Sequence, residues 1–445
     1  MGDSDRPRRR PHHMGRRKRR RLTSTCGSAV RQISSWNTEH VADDADIDID
    51  DATLDDSELP SEDDDQLSEE SGELSAADVE PLVLYTLDWS VQSLLERIGS
   101  TFDISPAFQR RDAWDRTRKS LYIESLMAGL PVPQIVLAED RELRGRFIVL
   151  DGKQRLVTMK QFASPSLTFP SFRLRGLQFL PELDGKTFDE IFSSMETSEY
   201  AEAFLAQPVR TIVVRNWKRV EVLYHIFVRL NQGSVSLSPQ ELRQALFPGQ
   251  FTRWIDERSA KSTPIQGARR LKREDFRMRD AEMLLRYVAL EDSLETYGGN
   301  LRSFLDDACA TGNKKWPTRA DHYAALADRC EQSIGSVFEV FGENSFLRFD
   351  GERYVRRFNI AVFDAMTVVF SDPAVAAIHP LPAAELQAAY ERLSIENETF
   401  HRSLISTTKT TSATLGRILW LAEAVGAVLG VKPAVIDRID QSKVN

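Results

Sequence analysis

The spacing of apolar residues divides the chain near residue 81. Residues 1–80 are strongly charged and poor in aromatic residues, whereas from Leu82 onward apolar residues recur with helical or strand spacing. In 81–245 this pattern predicts helices over 91–98 and 218–230, a helix that ends at Gly129, and strands over 101–104, 134–138, 146–150 and 209–214. Such a mixture is typical of a small α+β domain.

Beyond about Glu241 the spacing is almost entirely helical. Breaks are expected at the Pro and Gly residues near 248, 298–299, 317, 373 and 380–382. The most apolar stretch, 418–431, is short and interrupted by Glu423, so it predicts a buried helix and no membrane span. The predicted fold class is therefore α+β, with an α+β domain over 81–245 and a mainly helical domain over 246–445.

Charge is segregated along the chain, so the net value of −9 describes no single surface. Residues 1–40 hold 11 Lys and Arg against three acids, with ten of the bases between Arg6 and Arg21. Residues 41–80 hold 18 acids and no base, which leaves 81–445 at +1. We expect 1–80 to be a disordered tail, because it buries too little apolar surface to fold. Its basic run could bind DNA and its acidic tract could cover basic surfaces, or both could be simply solvated.

The cysteines and histidines predict neither disulfides nor a metal centre. Cys26, Cys309 and Cys330 form no CxxC pair and no disulfide framework, which favours a reducing, cytoplasmic compartment. The seven His are scattered. The sequence also lacks a GxxxxGK[ST] loop, a GxGxxG after a strand, an HExxH motif and zinc-ligand spacing.

The strongest candidate site is the segment from Asp151 to Arg155, DGKQR, which follows the strand at 146–150 and opens a helix. Such a junction directs backbone N–H groups and the positive end of a helix dipole at one spot, which suits a phosphate. Gly152 permits close approach, Lys153 adds charge, and Arg155 could donate a forked pair of hydrogen bonds. Asp151 could hold a metal ion, position Arg155 or act as a general base. Alternatively, the segment is an ordinary turn with Asp151 as the helix N-cap.

Two other segments could reach the same ligand. Gln109 and Arg110 lie in FQRR, a loop after Pro106, which could contact an anion or be solvated surface charge. Asn231 follows the helix at 218–230, where it could contact a ligand or only terminate the helix.

In their order and spacing these segments resemble one family, the GmrSD-type domain found at the N-terminus of type IV modification-dependent restriction enzymes and of related phage-defence proteins. The resemblance covers roughly 85–245, with a weaker echo, FRMRDAEMLLR, at 276–286. Its motifs are FQRR, G-x-P-x-P at 129–133, VLDGKQRL at 149–156, DGKTF at 184–188, and F-x-R-L-N-x-G followed by L-S-x-x-E-L-R at 227–243.

The resemblance implies a ParB/sulfiredoxin-like fold that binds and hydrolyses a nucleoside triphosphate, with Mg²⁺, to license DNA cleavage by an HNH-type nuclease. The family signature is DGQQR, and the matching residues give a predicted site. Its catalytic residues are Asp151 and Arg155, and its ligand-binding residues are Gln109, Arg110, Gly152, Lys153, Gln154 and Asn231.

Two departures from the family pattern narrow the expected function. Lys153 stands where the family usually has Gln, which adds a charge and removes a hydrogen-bond acceptor. No His-rich HNH signature occurs in 246–445, so we expect no HNH nuclease in these residues. A separate subunit could supply the nuclease, or the protein could act only as a sensor.

Three hypotheses about function follow from the sequence. The leading one is a nucleotide-binding, NTP-hydrolysing component of a DNA restriction or phage-defence system that acts on DNA with a partner nuclease. The second is a non-catalytic ParB-like DNA-binding regulator with Arg6–Arg21 as a DNA arm. The third is a stand-alone ParB-type nuclease that uses the DGKQR loop.

Overall fold

The computed structural model of the protein describes residues 75–102, 114–141, 143–230, 238–271, 275, 277–405 and 410–444. The charged tail up to residue 74 lies outside the described residues, and so do the predicted site residues Gln109, Arg110 and Asn231. The described part is α+β, as the sequence predicts, with a small mixed sheet in its first half and long helices in its second.

The first half contains four strands and eight helices in the described residues. In chain order they are α1 (Ala76–Val79), β1 (Val83–Ser90), α2 (Val91–Arg97), α3 (Arg116–Met127), β2 (Ile135–Glu139), β3 (Phe147–Asp151), α4 (Lys153–Ala163), α5 (Phe188–Phe192), α6 (Ser198–Ala206), β4 (Pro208–Arg215), α7 (Val220–Leu230) and α8 (Pro239–Leu246).

The four strands form one mixed sheet in the order β1-β4-β2-β3. β1 pairs with β4 and β2 with β3 in antiparallel fashion, whereas β2 and β4 are parallel. In the centre of the sheet, Thr211 of β4 lies opposite Leu87 of β1 and Ile135 of β2. The strands predicted at 134–138, 146–150 and 209–214 are therefore confirmed.

Helices cover both faces of this sheet. Because successive strand residues point to opposite faces, Ile135 and Leu137 join the core under α2, α3, α4 and α6, whereas Val136 and Ala138 join the core under α7 and α8. Strand β3 is at one edge of the sheet, so the turn from β3 into α4 lies at that edge, between the core on one face of the sheet and the core on the other.

Strand β1 is absent from the sequence prediction, which assigned no element between Leu82 and the helix at 91–98. In the structure, Tyr85, Leu87 and Trp89 alternate towards the core while the residues between them are more exposed. This period-two pattern is the signal of a half-buried strand. The following helix, α2, begins after Ser90, whose Oγ accepts a hydrogen bond from Ser93 N.

The second half is mainly helical and includes one short hairpin. Its elements are α9 (Gln250–Ala260), α10 (Thr263–Ala268), α11 (Arg279–Ser293), α12 (Leu301–Phe341), β5 (Leu347–Phe349), β6 (Tyr354–Phe358), α13 (Ile360–Phe370), α14 (Pro373–Ala376), α15 (Ala383–Glu396), α16 (Glu398–Ser403), α17 (Thr411–Leu429) and α18 (Val435–Arg438). The domain boundary near residue 245 and the ParB-like assignment of the first half stay predictions.

The break predicted at Pro317 is wrong, because α12 continues through this residue for 41 residues in all. A proline inside a helix costs about 3 kcal/mol. Aromatic side chains on both sides of Pro317 pack against α9 and offset that cost. The ring centroids of Trp316 and Trp254 are 5.3 Å apart, and those of Tyr323 and Phe251 are 4.7 Å apart. Tertiary contacts thus override the local signal.

Helix α17 includes most of the apolar stretch at 418–431. By length and composition it could cross a membrane, but 61% of its most apolar window is buried inside the protein. Ile418 and Leu421 pack in the main core, and the buried Arg417 donates to the carbonyl of Ser403 at 3.1 Å. The helix is a core helix, as the sequence predicts.

Candidate functional site

The turn from β3 into α4 requires glycine at position 152. Gly152 has a left-handed backbone, with φ 98°, at the start of α4. A Cβ there would lie 3.0 Å from Ile135 Cγ1 and 3.2 Å from Arg155 Nη2. Any L-residue would therefore meet both backbone strain and a steric contact. The absence of a side chain lets the guanidinium of Arg155 lie against the turn.

Arg155 joins the turn to the neighbouring strand. Its Nη2 donates to Asp151 Oδ2 at 2.5 Å and to the carbonyl oxygen of Gln134 at 3.1 Å. The Arg155 side chain is 11% exposed and that of Asp151 is 26% exposed. Of the roles left open for Asp151, positioning Arg155 is the one that these contacts support, since the N-cap residue is Gly152.

One donor of Arg155 remains unused within the described part of the chain. The buried Nε makes no hydrogen bond to any described residue. A buried charged donor of this kind is costly unless a partner satisfies it. The positive start of α4 lies beside it, so the turn presents a local environment that favours an anion.

Lys153 is directed away from solvent, towards α8. Its Nζ donates to Glu241 Oε1 at 2.7 Å, and both side chains are 5% exposed. The other oxygen of Glu241 accepts from Ser238 N at 2.7 Å, and Ser238 Oγ accepts from Glu241 N at 3.1 Å. The capping box at Ser238 thus also ties α8 to the first residue of α4.

The other predicted site residues divide into one that is described and three that are not. Gln154 is partly exposed on the first turn of α4. Gln109, Arg110 and Asn231 lie outside the described residues, so the structure does not bring them to the turn or separate them from it.

Sequence reasoning missed two residues of this site, namely Gln134 and Glu241. Gln134 contributes only a backbone carbonyl, which no side-chain pattern reveals. Glu241 follows Ser238 at the spacing typical of a helix capping box, but its pairing with Lys153 spans 88 positions.

Polar contacts continue from α8 into the helical half. Arg243 Nε donates to Asp306 Oδ1 at 2.7 Å, and the Tyr224 hydroxyl donates to the same oxygen at 3.3 Å. Burial raises the pKa of the Asp306 carboxyl above its ordinary value, and the charge of Arg243 opposes that shift. Helix α8 is thus held on two sides by charged partners, with Lys153 bound to Glu241 and Asp306 bound to Arg243.

No group of three His, Cys, Asp or Glu residues able to hold a metal ion occurs within the ranges that the structure describes. The site as described is therefore built from Arg155, Asp151, the start of α4 and the Lys153–Glu241 pair.

Comparison with known proteins places this site inside a family match. Residues 91–248 match the family model described as GmrSD restriction endonuclease, N-terminal domain. The match includes Gln134, β2, β3, α4 and α8, which together supply the contacts of Gly152, Lys153 and Arg155 described above. No curated protein matches the sequence.

Proposed function

Because residues 91–248 of this chain form a GmrSD N-terminal domain, we propose that the protein is a nucleotide-binding component of a DNA restriction or phage-defence system. The nucleotide binds through its phosphates at the turn from β3 into α4. The observation that carries this proposal is the nearly buried Arg155, whose Nε has no hydrogen-bond partner in the described part of the chain.

The chemistry of the turn fits a nucleoside triphosphate. The first N–H groups of a helix lack intrahelical acceptors and its dipole is positive there, so phosphate oxygens bind well at such a start. Arg155 adds a fixed positive charge that Asp151 orients. Mg²⁺ bound with a nucleotide usually takes phosphate oxygens and one or two carboxylates, and Asp151 is the partly exposed carboxylate at this turn.

Lys153 has a different role in this proposal from the one that charge alone suggests. Its ammonium group is already paired with Glu241, so it contributes to the site by holding α4 and α8 together. Gln154 lies on the first turn of α4 and is partly exposed.

Nucleotide binding is proposed to control an action on DNA that a second protein completes. The family match supports membership in a restriction or phage-defence system. Since 246–445 contains no HNH-type signature, we assign DNA cleavage to a separate nuclease subunit, acting in the cytoplasm. The basic run between Arg6 and Arg21 supplies an additional DNA contact through counterion release.

The test is calorimetric titration of the full chain with the Mg²⁺ complexes of ATP, GTP, CTP and UTP. We expect wild-type protein to bind at least one of them, and Arg155→Ala to weaken that binding by roughly tenfold to a hundredfold, as expected for loss of hydrogen bonds to a charged group. Arg155→Lys keeps the charge but not the planar fork, so it should recover only part of the affinity.

The matched control is Arg210→Ala. Arg210 also pairs with an aspartate, Asp88, but on the exposed surface of β1 and β4, so its loss should leave binding unchanged. If no nucleotide binds wild-type protein, or if Arg155→Ala binds as tightly as wild type, the proposal is wrong. Phosphate release by wild type, absent in Asp151→Asn, would add hydrolysis to binding, whereas binding without turnover would make the protein a sensor.

A further inference from the structure

A group of exposed cations lies at the end of the sheet opposite the turn from β3 into α4. The loop between β2 and β3 contributes Arg141, Arg144 and Arg146, and the segment between β4 and α7 contributes Lys218 and Arg219. Because β2 and β4 run parallel, both segments leave the sheet at the same end. We call these five residues the sheet-end surface.

Glu139, the last residue of β2, joins the two segments. Its Oε1 accepts from Gly145 N in the loop at 3.3 Å and from Arg215 Nη2 on β4 at 3.0 Å. Its backbone carbonyl accepts from Trp217 Nε1 at 2.8 Å, and the guanidinium of Arg141 lies 5.2 Å from the centre of the Trp217 ring. These contacts place the cations of both segments on one continuous surface.

Most of the sheet-end surface lacks an anionic partner. Its members other than Arg219 form no ion pair with any residue in the described ranges. Two acids beside them, Glu139 and Asp140, already accept hydrogen bonds from backbone N–H groups of the loop, at 3.3 and 3.0 Å. Arg219 is the exception, since it pairs with Glu221 at 3.4 Å and with a carboxylate of α1.

That carboxylate is Asp78, which connects the surface to the acidic part of the chain. Asp78 Oδ2 accepts from Arg219 Nη1 at 3.5 Å and from Ser75 N, at the start of α1, at 2.9 Å. Since α1 is the first described element, the described chain begins beside the sheet-end surface. Residues 50–74, which directly precede Ser75, contain 12 Asp and Glu and no Lys or Arg.

We propose that the acidic stretch 50–74 docks on the sheet-end surface of its own chain, starting from the Asp78–Arg219 contact. Exposed ion pairs are individually weak, but attachment through α1 gives the stretch an effective concentration on the order of millimolar. Strands lie about 4.8 Å apart, so the ends of β4 and β3 are about 10 Å apart, which a few extended residues span. The stretch is therefore long enough to reach every cation of the surface.

DNA phosphates suit the same exposed cations. The Asp78–Arg219 contact favours the acidic stretch over DNA, because it brings a carboxylate of the adjoining helix to the surface and the stretch is covalently attached to that helix. Docking of the stretch keeps DNA phosphates from these cations, and it does not depend on nucleotide binding.

The test is limited proteolysis of the full chain with a protease that cuts after glutamate, with cleavage after Glu62 and Glu69 followed by mass spectrometry. The variant is the triple substitution Arg144→Ala, Arg146→Ala and Lys218→Ala. At about 50 mM salt we expect it to be cleaved about threefold faster than wild type or more, because three exposed ion-pair contacts are lost. At about 1 M salt the Debye length is about 3 Å, so wild type should be cleaved as fast as the variant.

The matched control is the triple substitution Arg253→Ala, Lys314→Ala and Lys315→Ala. These exposed cations of α9 and α12 also form no ion pair with any described residue. The control removes the same charge and should leave cleavage unchanged. Both triple variants should unfold at the temperature of wild type, since all six side chains are exposed.

Each other outcome contradicts the inference. Equal cleavage of wild type and the sheet-end variant at low salt would show that the stretch does not dock there. A difference that persists at about 1 M salt would exclude electrostatic docking. Faster cleavage of the control variant as well would show a general effect of net charge. If the sheet-end variant lost affinity for duplex DNA while its cleavage stayed that of wild type, the partner of this surface would be DNA and the inference would be wrong.

Discussion

Two arginine–aspartate pairs, one at the turn and one in the helical half, differ greatly in how many of their hydrogen-bonding atoms have partners. Arg286 of α11 uses its whole guanidinium: Nε and Nη2 bond both oxygens of Asp364, and Nη1 reaches Glu282 at 3.5 Å. Arg155 bonds Asp151 with Nη2 alone and leaves Nε without a partner among the described residues. The Arg286 pair is also more deeply buried.

The number of hydrogen bonds that each arginine makes distinguishes a structural ion pair from a candidate ligand-binding site. A buried charge that is fully bonded holds helices together and has nothing left to offer a ligand. A charge that is nearly buried but partly bonded carries a cost that a ligand can remove. Arg155 lies within the residues that match the family model, whereas Arg286 lies outside them, in the stretch 276–286 where the sequence predicted a weaker resemblance. Burial and pairing, which motifs do not report, assign them different roles.

The largest expected effect follows from Asp364→Ala. Two arginines depend on this carboxylate, because Arg417 Nη2 lies 3.9 Å from it in addition to the Arg286 bonds. Removing one partner from a buried ion pair costs about 3–5 kcal/mol, and we expect the upper end of that range because two cations lose their counterion. Urea unfolding of the variant and wild type measures the difference.

Asp151→Ala is the matched variant at the turn. Asp151 is partly exposed and bonds a single nitrogen of Arg155, so its loss should cost only about 1–2 kcal/mol. If the two variants lost equal stability, the distinction between a structural pair and a partly bonded site would be wrong.

The next largest loss of stability is expected at the Lys153–Glu241 pair, a buried ion pair that lies beside the turn and joins α4 to α8. Lys153→Gln leaves Glu241 buried without its cation, which should cost about 3 kcal/mol. Glu241→Gln should cost a similar amount, because the buried Lys153 then loses its anionic partner. In the double variant the two amides can hydrogen-bond to each other, so more than half of the summed loss should return. A double-mutant cycle in urea measures this coupling.

Arg210 and Asp88 provide the reference cycle, since their pair is exposed on both sides. Their coupling energy should be below about 1 kcal/mol. Equal coupling energies in the two cycles would contradict a buried, tightly coupled link between α4 and α8.

The local part of the site was predictable from the sequence, and the long-range part was not. The strand, turn and helix around Asp151 to Arg155 follow from apolar spacing and one glycine, and the Ser238 capping box follows from four consecutive residues. Lys153 and Glu241, however, are 88 residues apart. Nothing in either segment alone indicates that the charges meet, so Lys153 was expected to face the ligand.

The same division applies to the fold. The strands β2 and β3 have continuous apolar runs, β4 has three consecutive apolar residues at 212–214, and all three strands were predicted. Strand β1 has mainly alternating apolar residues at the edge of the sheet and was not predicted. At Pro317 the sequence predicted a helix break that the structure does not have, because the aromatic residues that keep α12 continuous come partly from α9.

The smallest expected difference in stability is the one between two glycine variants, and it separates backbone strain from steric contact at the site. Gly152 and Gly99 both have left-handed backbones, with φ 98° and 86°, but a Cβ at Gly99 would meet nothing within 4 Å. Gly99→Ala should therefore cost about 1 kcal/mol, from backbone strain alone. Gly152→Ala should cost about 2 kcal/mol, because its Cβ also meets Ile135 at 3.0 Å. The same Cβ would lie 3.2 Å from Arg155 Nη2, so we expect Gly152→Ala to lose nucleotide affinity as well, while Gly99→Ala keeps it. Urea unfolding and calorimetry on the two variants measure both effects, and equal affinities would show that the close approach of Arg155 to the turn serves packing and not the ligand.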